Sequence, residues 1–317
     1  MPTLDADARR LVDLGRQAGK PPFEVLTPVQ AREAYAASWD LLQPPAEPVA
    51  SVRDIDIDGP GGVLRLRVYR GTGTAAGQCI PCLVFLHGGG WVIGGLESHD
   101  RLCRNLANAA GICVVAVDYR LAPEFPYPAG LDDCEAAWRW VHQHTAELSI
   151  EPERIAIGGD SAGGHHAAVL ALMGRDGTVP AACHQTLLYP VTDIAAESDS
   201  YRSVADVPLT AATMRWFIDL YAPDPAARAH WKLSPLRAAS FAGLPPALLL
   251  TVGHDPLRDE GRAYGERLHE AGVQMLSLHA GDQMHGVLLQ GRMVRAANVL
   301  AEMLGTALRA ALRPVAN

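Results

Sequence analysis

The sequence contains no apolar run approaching the ~18 residues that a membrane-spanning helix requires. Its N-terminus carries charged residues where a secretory signal peptide has an apolar core, so we expect a cytoplasmic protein that does not bind membranes. Basic residues are not in excess either: 27 lysines and arginines against 35 aspartates and glutamates give a net charge of −8. This balance provides no general attraction for a phosphate backbone, so a nucleic-acid partner is not expected.

Cysteine is sparse, at six in 317 residues, so the chain does not have a disulfide framework. Cys79 and Cys82 have the spacing of a redox motif, but they lead into a strand-like run, whereas a reactive thiol usually opens a helix. No second cysteine pair completes a zinc site. We therefore predict neither a metal nor an organic cofactor.

The hydrophobic pattern at the N-terminus differs from that of the remaining chain. Residues 1–50 predict short amphipathic helices, the first with Leu4, Leu11 and Leu14 on one stripe. A polar stretch followed by an apolar helix at about 195–232 interrupts the later pattern and predicts an insertion. We expect these two segments to form a helical cap.

Residues 51–317 have the pattern of one α/β domain. Residues 52–58 and 63–69 alternate with period two around a glycine-rich turn, which predicts an antiparallel hairpin. Continuous apolar runs then alternate with helical stretches, and this predicts a buried parallel sheet with flanking helices. These runs cover residues 82–86, 112–117, 155–157, 187–189, 247–252 and 273–278.

A Gly-Asp-Ser-Ala-Gly motif at residues 159–163 lies between a predicted strand and a predicted helix. This is the setting of a nucleophile elbow, in which small flanking residues permit the strained turn that exposes the serine oxygen. The bare pattern also fits a tight strand-to-helix turn with an incidental serine. The strand and helix on either side favour Ser161 as a nucleophile.

Three consecutive glycines, Gly88, Gly89 and Gly90, follow another predicted strand. Acyl transfer generates an oxyanion, and a glycine loop can direct backbone N–H groups toward it without obstruction by side chains. The N–H of Ala162, the residue after the nucleophile, is a further candidate donor. A phosphate-binding loop would have Gly-Lys-Ser/Thr after the glycines, and Trp91 follows instead.

A serine nucleophile needs a general base and an orienting acid, and they follow it in the order Asp, His in this kind of fold. Asp255 and His285 each follow a predicted strand and so lie where parallel strands end. Asp259 and Asp282 are weaker candidates for the acid. Asp259 falls on a predicted helix, and Asp282 is too near His285 in sequence to approach it from a neighbouring strand.

Other side chains have candidate roles around this site. Arg120 and Glu124 are predicted to form structural ion pairs that fix a loop below it. The cap side chains among the pocket candidates also fit ordinary packing, since they recur at helical spacing. The predicted substrate-pocket residues are Trp39, Trp91, Asp160, Tyr189, Met214, Phe217 and Val287.

The ordered series of motifs resembles the bacterial hormone-sensitive-lipase family of α/β-hydrolase carboxylesterases over nearly the whole chain. The motifs are His87-Gly-Gly-Gly-Trp91, Asp118-Tyr-Arg-Leu-Ala-Pro-Glu124, Gly159-Asp-Ser-Ala-Gly163, Leu188-Tyr-Pro-Val-Thr-Asp193, Ser234-Pro-Leu236, Asp255-Pro-Leu-Arg-Asp-Glu-Gly261 and His285-Gly286. The resemblance implies an eight-stranded, mostly parallel sheet with a helical cap, a triad of Ser161, Asp255 and His285, and no cofactor. It also implies that the protein is often a homodimer, formed through the last strand at residues 273–278 or through the C-terminal helix.

The expected reaction is hydrolysis of short-to-medium-chain acyl esters through an acyl-enzyme. An amidase, a lactonase or a natural-product deacetylase would use the same triad, and a non-catalytic small-molecule receptor could share the fold. Three features depart from the family pattern: His165-His166 replaces Asn-Leu, Val287 replaces Phe, and His254 precedes Asp255. We expect the paired imidazoles to alter the pH dependence and Val287 to give a less bulky acyl pocket.

Overall fold

The computed structural model describes residues 2–313, organised around one eight-stranded sheet with strand order β1-β2-β4-β3-β5-β6-β7-β8. Strands β3 to β8 run parallel, and the β1–β2 hairpin joins them antiparallel through β2 and β4. The strands are β1 (Ser51–Gly59), β2 (Gly62–Arg70), β3 (Ile80–Leu86), β4 (Cys113–Val117), β5 (Ile150–Asp160), β6 (Gln185–Leu188), β7 (Ala247–His254) and β8 (Met275–Met284). Residue 1 of the predicted cap and residues 314–317 of the predicted α/β domain lie outside the described part.

Helices cover both faces of the sheet, as a sheet buried on two sides requires. Helices α5, α7 and α10 pack on one face, and α4 and α11 pack on the other. The helices are α1 (Ala6–Gln17), α2 (Pro28–Ala36), α3 (Trp39–Leu42), α4 (Leu96–Ala110), α5 (Ala129–Gln143), α6 (Thr145–Leu148), α7 (Ala162–Arg175), α8 (Asp199–Ser203), α9 (Ala211–Tyr221), α10 (Arg258–Glu270) and α11 (Arg295–Ala311). None of those in residues 2–313 is both long and apolar enough to cross a bilayer.

The predicted parallel sheet is confirmed, but its last strand differs from the prediction. Strand β8 begins two residues later than residue 273 and continues to Met284. The extension follows from close packing against β7, because a Cβ on Gly253 would lie only 1.8 Å from the Gly281 carbonyl oxygen. Consequently His285 follows β8 directly.

The predicted stripe at helix α1 is confirmed only in part: Leu4 is buried and Leu11 packs against the same core cluster, but Leu14 does not. Asp5 caps the helix by accepting hydrogen bonds from the backbone N–H groups of residues 7 and 8, so Leu4 precedes the first turn. Ala8 and Val12, four residues apart, form the buried side of the helix. Leu14 lies off this side and is 42% exposed.

Helices from the N-terminal segment and from the segment between β6 and β7 pack against each other. The rings of Phe23 and Phe217 lie 6.2 Å apart. The Thr213 hydroxyl donates a 2.6 Å hydrogen bond to Glu24 Oε2. Phe217 belongs to an apolar cluster against which Phe23 packs. Because the two segments share a cluster, displacement of one would expose apolar surface of the other.

The interior contains several histidines that burial keeps neutral. His87, His165, His166 and His184 are each less than 5% exposed. Burial lowers the pKa of His87 to about 3 and the pKa values of His165 and His184 to about 4, and it lowers the pKa of His166 well below its usual range. The unfolded chain therefore binds protons that the folded protein excludes.

This difference predicts loss of stability in mild acid. A histidine with a folded pKa near 4 and an unfolded pKa near 6.5 destabilises the fold as pH falls through that window, by up to about 1.4 kcal/mol per pH unit. Denaturant unfolding of His165→Asn between pH 7 and pH 5 should therefore show a shallower loss of stability than the wild type. Replacement of the exposed His269 by Asn is the control that should leave the slope unchanged, and equal slopes in all three proteins would contradict the account.

Candidate active site

Ser161 lies at the sharp turn between β5 and α7. Its backbone is held at φ 55° and ψ −118°, a strained conformation for a non-glycine residue. The turn forms because the helix starts very close to a neighbouring strand: a Cβ on Gly163 would lie 1.9 Å from the Leu86 carbonyl oxygen. Glycine at this position lets the chain reverse direction and places the serine side chain at the carboxyl edge of the sheet.

Three side chains from separate strand ends meet at this edge. His285 Nε2 lies 2.9 Å from Ser161 Oγ, and its Nδ1 lies 2.7 Å from Asp255 Oδ2. Asp255 is fully buried and also accepts the Leu257 N–H at 2.8 Å. With Nδ1–H donated to the carboxylate, Nε2 is the imidazole nitrogen able to accept the serine proton.

The other two carboxylates considered for the acid have different partners. Asp259 accepts a 2.7 Å hydrogen bond from Arg258 Nε. Asp282 accepts one of 3.2 Å from the Gln283 amide. Within residues 2–313, neither forms a hydrogen bond with His285, so only Asp255 has the geometry of the orienting acid.

The glycine loop follows β3 and passes beside the elbow. The Gly88 N–H donates to Asp160 Oδ1 at 2.8 Å, so this predicted oxyanion donor already has an acceptor. The N–H groups of Gly89 and Gly90 donate to no other group in the described part of the chain, and Ala162 is the first residue of α7, where N–H groups have no intrahelical partner. Three amides thus remain available near Ser161.

Comparison with known proteins agrees with this geometry. A family model described as an alpha/beta hydrolase fold matches residues 83–289. Esterase LipI of Mycobacterium tuberculosis is 39% identical over 311 residues, covering 94% of this chain and 95% of that protein. Ethyl acetate hydrolase of Pseudomonas putida is 36% identical over 293 residues, covering 91% and 92% of the two chains.

Solved structures extend the likeness to the whole fold. An alpha/beta hydrolase enzyme from the metagenome of Lake Arreo has a TM-score of 0.93 and 39% identity, covering 97% of this chain and 98% of that one. The chain belongs to the hormone-sensitive-lipase family of α/β-hydrolase esterases. It is a carboxylesterase.

Two of the predicted pocket residues of this carboxylesterase lie on α9, directly over the glycine loop. A Cβ on Gly90 would lie 2.3 Å from the Phe217 ring, so the ring packs flat on the loop. Met214, one turn earlier on α9, is 1% exposed and belongs to the same cluster. Trp39, on α3, contacts Tyr35 edge-on, with ring centroids 6.0 Å apart.

Trp91 and Tyr189 contact groups around the triad in different ways. Trp91 is 1% exposed, stacks on Tyr221 at 4.4 Å and donates its indole N–H to His165 Nδ1 at 3.3 Å. Its ring therefore packs behind the elbow helix. Tyr189 adopts φ 37° after β6, and its ring contacts the His285 imidazole edge-on at 4.8 Å.

The remaining pocket candidates are also buried. Val287 follows Gly286 and is fully buried. Asp160 is 2% exposed, and its carboxylate contacts Gly88 and His99. The carboxylate therefore lies between the elbow and the glycine loop.

His165 and His166, which replace Asn-Leu of the family pattern, have surroundings that keep both imidazoles neutral. His165 Nδ1 accepts the Trp91 N–H and its Nε2 lies 3.1 Å from the Lys232 carbonyl, which is the pattern of a neutral imidazole. His166 has no hydrogen-bond partner for either ring nitrogen in the described residues. Because burial lowers both pKa values, these imidazoles do not titrate near neutral pH, contrary to the expected effect on the pH dependence.

The loop below the site is fixed by ion pairs, as predicted, but with separate partners. Arg120 forms a bidentate pair with Asp133, both contacts being 2.8 Å. Glu124 pairs with Arg32 of α2 at 2.6 Å, and Arg32 Nε also donates to the Val92 carbonyl at 2.8 Å. Arg32 therefore links an N-terminal helix to the end of the glycine loop, a role that no motif in the sequence indicated.

No metal centre is present among the described residues. Residues 2–313 contain no group of three or more His, Cys, Asp or Glu side chains placed to hold a metal ion. Cys79 is exposed and Cys82 is buried on β3, and both are free thiols.

Proposed function

We propose that this carboxylesterase hydrolyses esters of short-to-medium-chain acids through an acyl-enzyme on Ser161. The observation that supports the proposal most directly is the pair of hydrogen bonds, 2.9 and 2.7 Å long, by which His285 connects Ser161 to Asp255. This arrangement provides a nucleophile, a general base and an orienting acid in one chain of contacts.

In the acylation step, Ser161 Oγ attacks the ester carbonyl carbon while His285 Nε2 takes the serine proton. The carbonyl oxygen becomes an oxyanion, and the N–H groups of Gly89, Gly90 and Ala162 stabilise it. The imidazolium that forms is stabilised by the Asp255 carboxylate. It then donates its proton to the departing alkoxide, so the alcohol leaves and the acyl group remains on Ser161.

Deacylation repeats the sequence with water as the nucleophile. His285 accepts a proton from water as the water oxygen attacks the acyl carbon, and the same amides stabilise the second oxyanion. The imidazolium returns its proton to Ser161 Oγ, which releases the carboxylic acid. His285 thus serves as general base and then general acid in both steps.

The expected limit on acyl length rests on the packing above Ser161. Ser161 is 7% exposed, and Met214 and Phe217 are nearly buried, so little open space lies over the nucleophile. Ethyl acetate hydrolase, whose name describes a two-carbon acyl substrate, is similar over 91% of this chain. We assign the covering role to a cap formed by residues 1–50 and about 195–232.

Hydrolysis of p-nitrophenyl esters from acetate to palmitate tests the proposal. The wild type should be most active on short acyl chains, with turnover falling beyond about eight carbons because the cap leaves little room. Ser161→Ala should lower kcat by several orders of magnitude on every ester, since loss of a triad member removes the covalent pathway. Ser240→Ala, in an exposed turn, is the matched control and should retain wild-type rates.

The same series of p-nitrophenyl esters measures how far the cap limits the length of the acyl chain. Phe217→Ala should move the length cutoff to longer chains, whereas alanine at the neighbouring, partly exposed Trp216 should not. A folded wild-type protein that hydrolyses none of the esters would refute the proposal. An unchanged cutoff in Phe217→Ala would refute the role of the cap.

We also propose that the protein forms a homodimer through the free edge of its sheet. Strand β8 pairs only with β7 in the described part of the chain, and its Leu276 is 49% exposed. Unpaired strand edges readily pair with a second chain.

Light scattering at micromolar concentration should therefore give twice the chain mass of 33.8 kDa. Leu276→Arg should shift the species to the monomer, because it places a charge in the apolar contact between the two edges. Val63→Arg, at a similarly exposed apolar residue on β2, should leave the dimer intact. A monomer in the wild type would exclude the proposal.

A further inference from the structure

A second histidine and carboxylate pair lies behind the nucleophile. His99 Nε2, from α4, lies 3.0 Å from Oδ1 of Asp160, the residue that precedes Ser161. The side chains are 1% and 3% exposed, so the pair is almost completely shielded from water. Polar groups at this depth are costly unless they are hydrogen-bonded, so the contact between these two side chains calls for a physical explanation.

The same carboxylate contacts the glycine loop. Asp160 Oδ1 accepts the Gly88 N–H at 2.8 Å. The contact is tight, since a Cβ on Gly88 would lie 2.5 Å from Asp160 Oδ2. The Asp160 side chain therefore connects two parts of the site. One is the elbow, which carries Ser161, and the other is the glycine loop, which supplies two of the proposed oxyanion donors.

The hydrogen-bond pattern assigns the protons in this pair. Although burial raises the pKa of Asp160, the nearby His99 and the Gly88 N–H lower it more, so the group is a carboxylate. The Gly88 N–H lies 2.8 Å from Asp160 Oδ1 and 3.3 Å from His99 Nε2, so the carboxylate is its nearer acceptor. A proton on Nε2 makes the 3.0 Å contact with Asp160 a hydrogen bond, because two lone pairs would otherwise face each other.

The other ring nitrogen of His99 faces Ser98. Ser98 Oγ lies 2.8 Å from the Gly95 carbonyl oxygen, accepts the Gly95 N–H at 3.0 Å and lies 2.8 Å from His99 Nδ1. The Ser98 hydroxyl can donate either to the Gly95 carbonyl or to Nδ1, so this contact fixes the orientation of the ring with Nδ1 as acceptor or donor. His99 is therefore held at Nδ1 by Ser98 while Nε2 faces Asp160.

We propose that His99 is a positioning residue of the esterase reaction, acting through Asp160 to hold the Gly88 amide, so that the amides of Gly89 and Gly90 stay in place for the oxyanion. The inference rests on the proposed triad mechanism and adds a residue outside it. His99 touches neither substrate nor Ser161. Loss of His99 would weaken the hydrogen bonds from the Gly89 and Gly90 amides to the oxyanion, which form only in the transition state. Loss of such hydrogen bonds lowers kcat and leaves KM nearly unchanged.

Kinetics of His99 variants with a short p-nitrophenyl ester test the proposal. His99→Leu removes the donor and should lower kcat about 100-fold, the range for loss of one oxyanion contact, with KM within about threefold. His99→Gln retains a donor near the position of Nε2 and should recover about a tenth or more of the wild-type kcat. The rate of inactivation by a p-nitrophenyl phosphonate should fall by the same factor as kcat/KM.

A double-mutant cycle shows whether His99 acts through Asp160. Asp160→Ala should itself lower kcat about 100-fold, because the Gly88 N–H loses its acceptor. Adding His99→Leu to that variant should then lower kcat by no more than about twofold, since the partner is already absent. Multiplicative losses, reaching about 10,000-fold in the double variant, would overturn the proposal.

Two controls separate positioning from folding and from the triad. His184→Gln replaces another buried histidine, which directly precedes β6 and so lies at the amino end of that strand, away from the site. This variant should keep kcat within about twofold of wild type. If His184→Gln lowers kcat as much as the His99 variants do, then replacement of any buried histidine lowers kcat, and the proposal is wrong. Ser161→Ala in the same assay reports separately on the triad.

The buried charge left by His99→Leu destabilises the fold and can prevent folding. In that event His99→Gln and Asp160→Asn decide the question, since each keeps a hydrogen-bonding group in place. Both should fold and show kcat losses below about tenfold with unchanged KM. Wild-type kcat in folded forms of both would overturn the proposal.

Discussion

The close approach of β5, α7 and β3 at the nucleophile is the constraint on which the site depends. Cβ atoms on Gly159 and Gly163 would lie 2.4 and 1.9 Å from the Leu86 carbonyl oxygen, so neither position admits a side chain. The strained φ of 55° at Ser161 persists because the packed strand and helix on either side fix it. The same proximity brings Asp160 beside Gly88, which connects the turn to the oxyanion loop.

The strand order supplies the remaining geometry. Strands β7 and β8 are neighbours and end at the same edge, so residues 30 positions apart in sequence meet with 2.7 Å between Asp255 and His285. Helix α9 then closes over the glycine loop through Phe217. The apolar cover excludes water from the polar groups, and hydrogen bonds and charge interactions in such an environment are stronger than in water.

The residues of the proposed triad could be chosen from the sequence because each follows a strand that the hydrophobic pattern reveals. The glycines on either side of Ser161 were sufficient to predict the elbow. Asp255 and His285 were predicted because each follows the end of a predicted strand. The pairing of Asp160 with His99 could not be predicted, because it depends on how α4 folds back over the loop. On α1, Leu4 and Leu11 pack against the core as predicted, but the prediction of Leu14 was wrong, since the choice between Leu14 and Val12 depends on which neighbours the helix contacts.

The central claim is that Ser161 is a nucleophile activated by His285. Its most direct test is titration of the protein with a p-nitrophenyl phosphonate, followed by mass spectrometry of the peptides. The account predicts release of one p-nitrophenol per chain, a single adduct on Ser161, and much slower labelling in His285→Ala. Absence of an adduct in the folded protein, or an adduct on another residue, would contradict it.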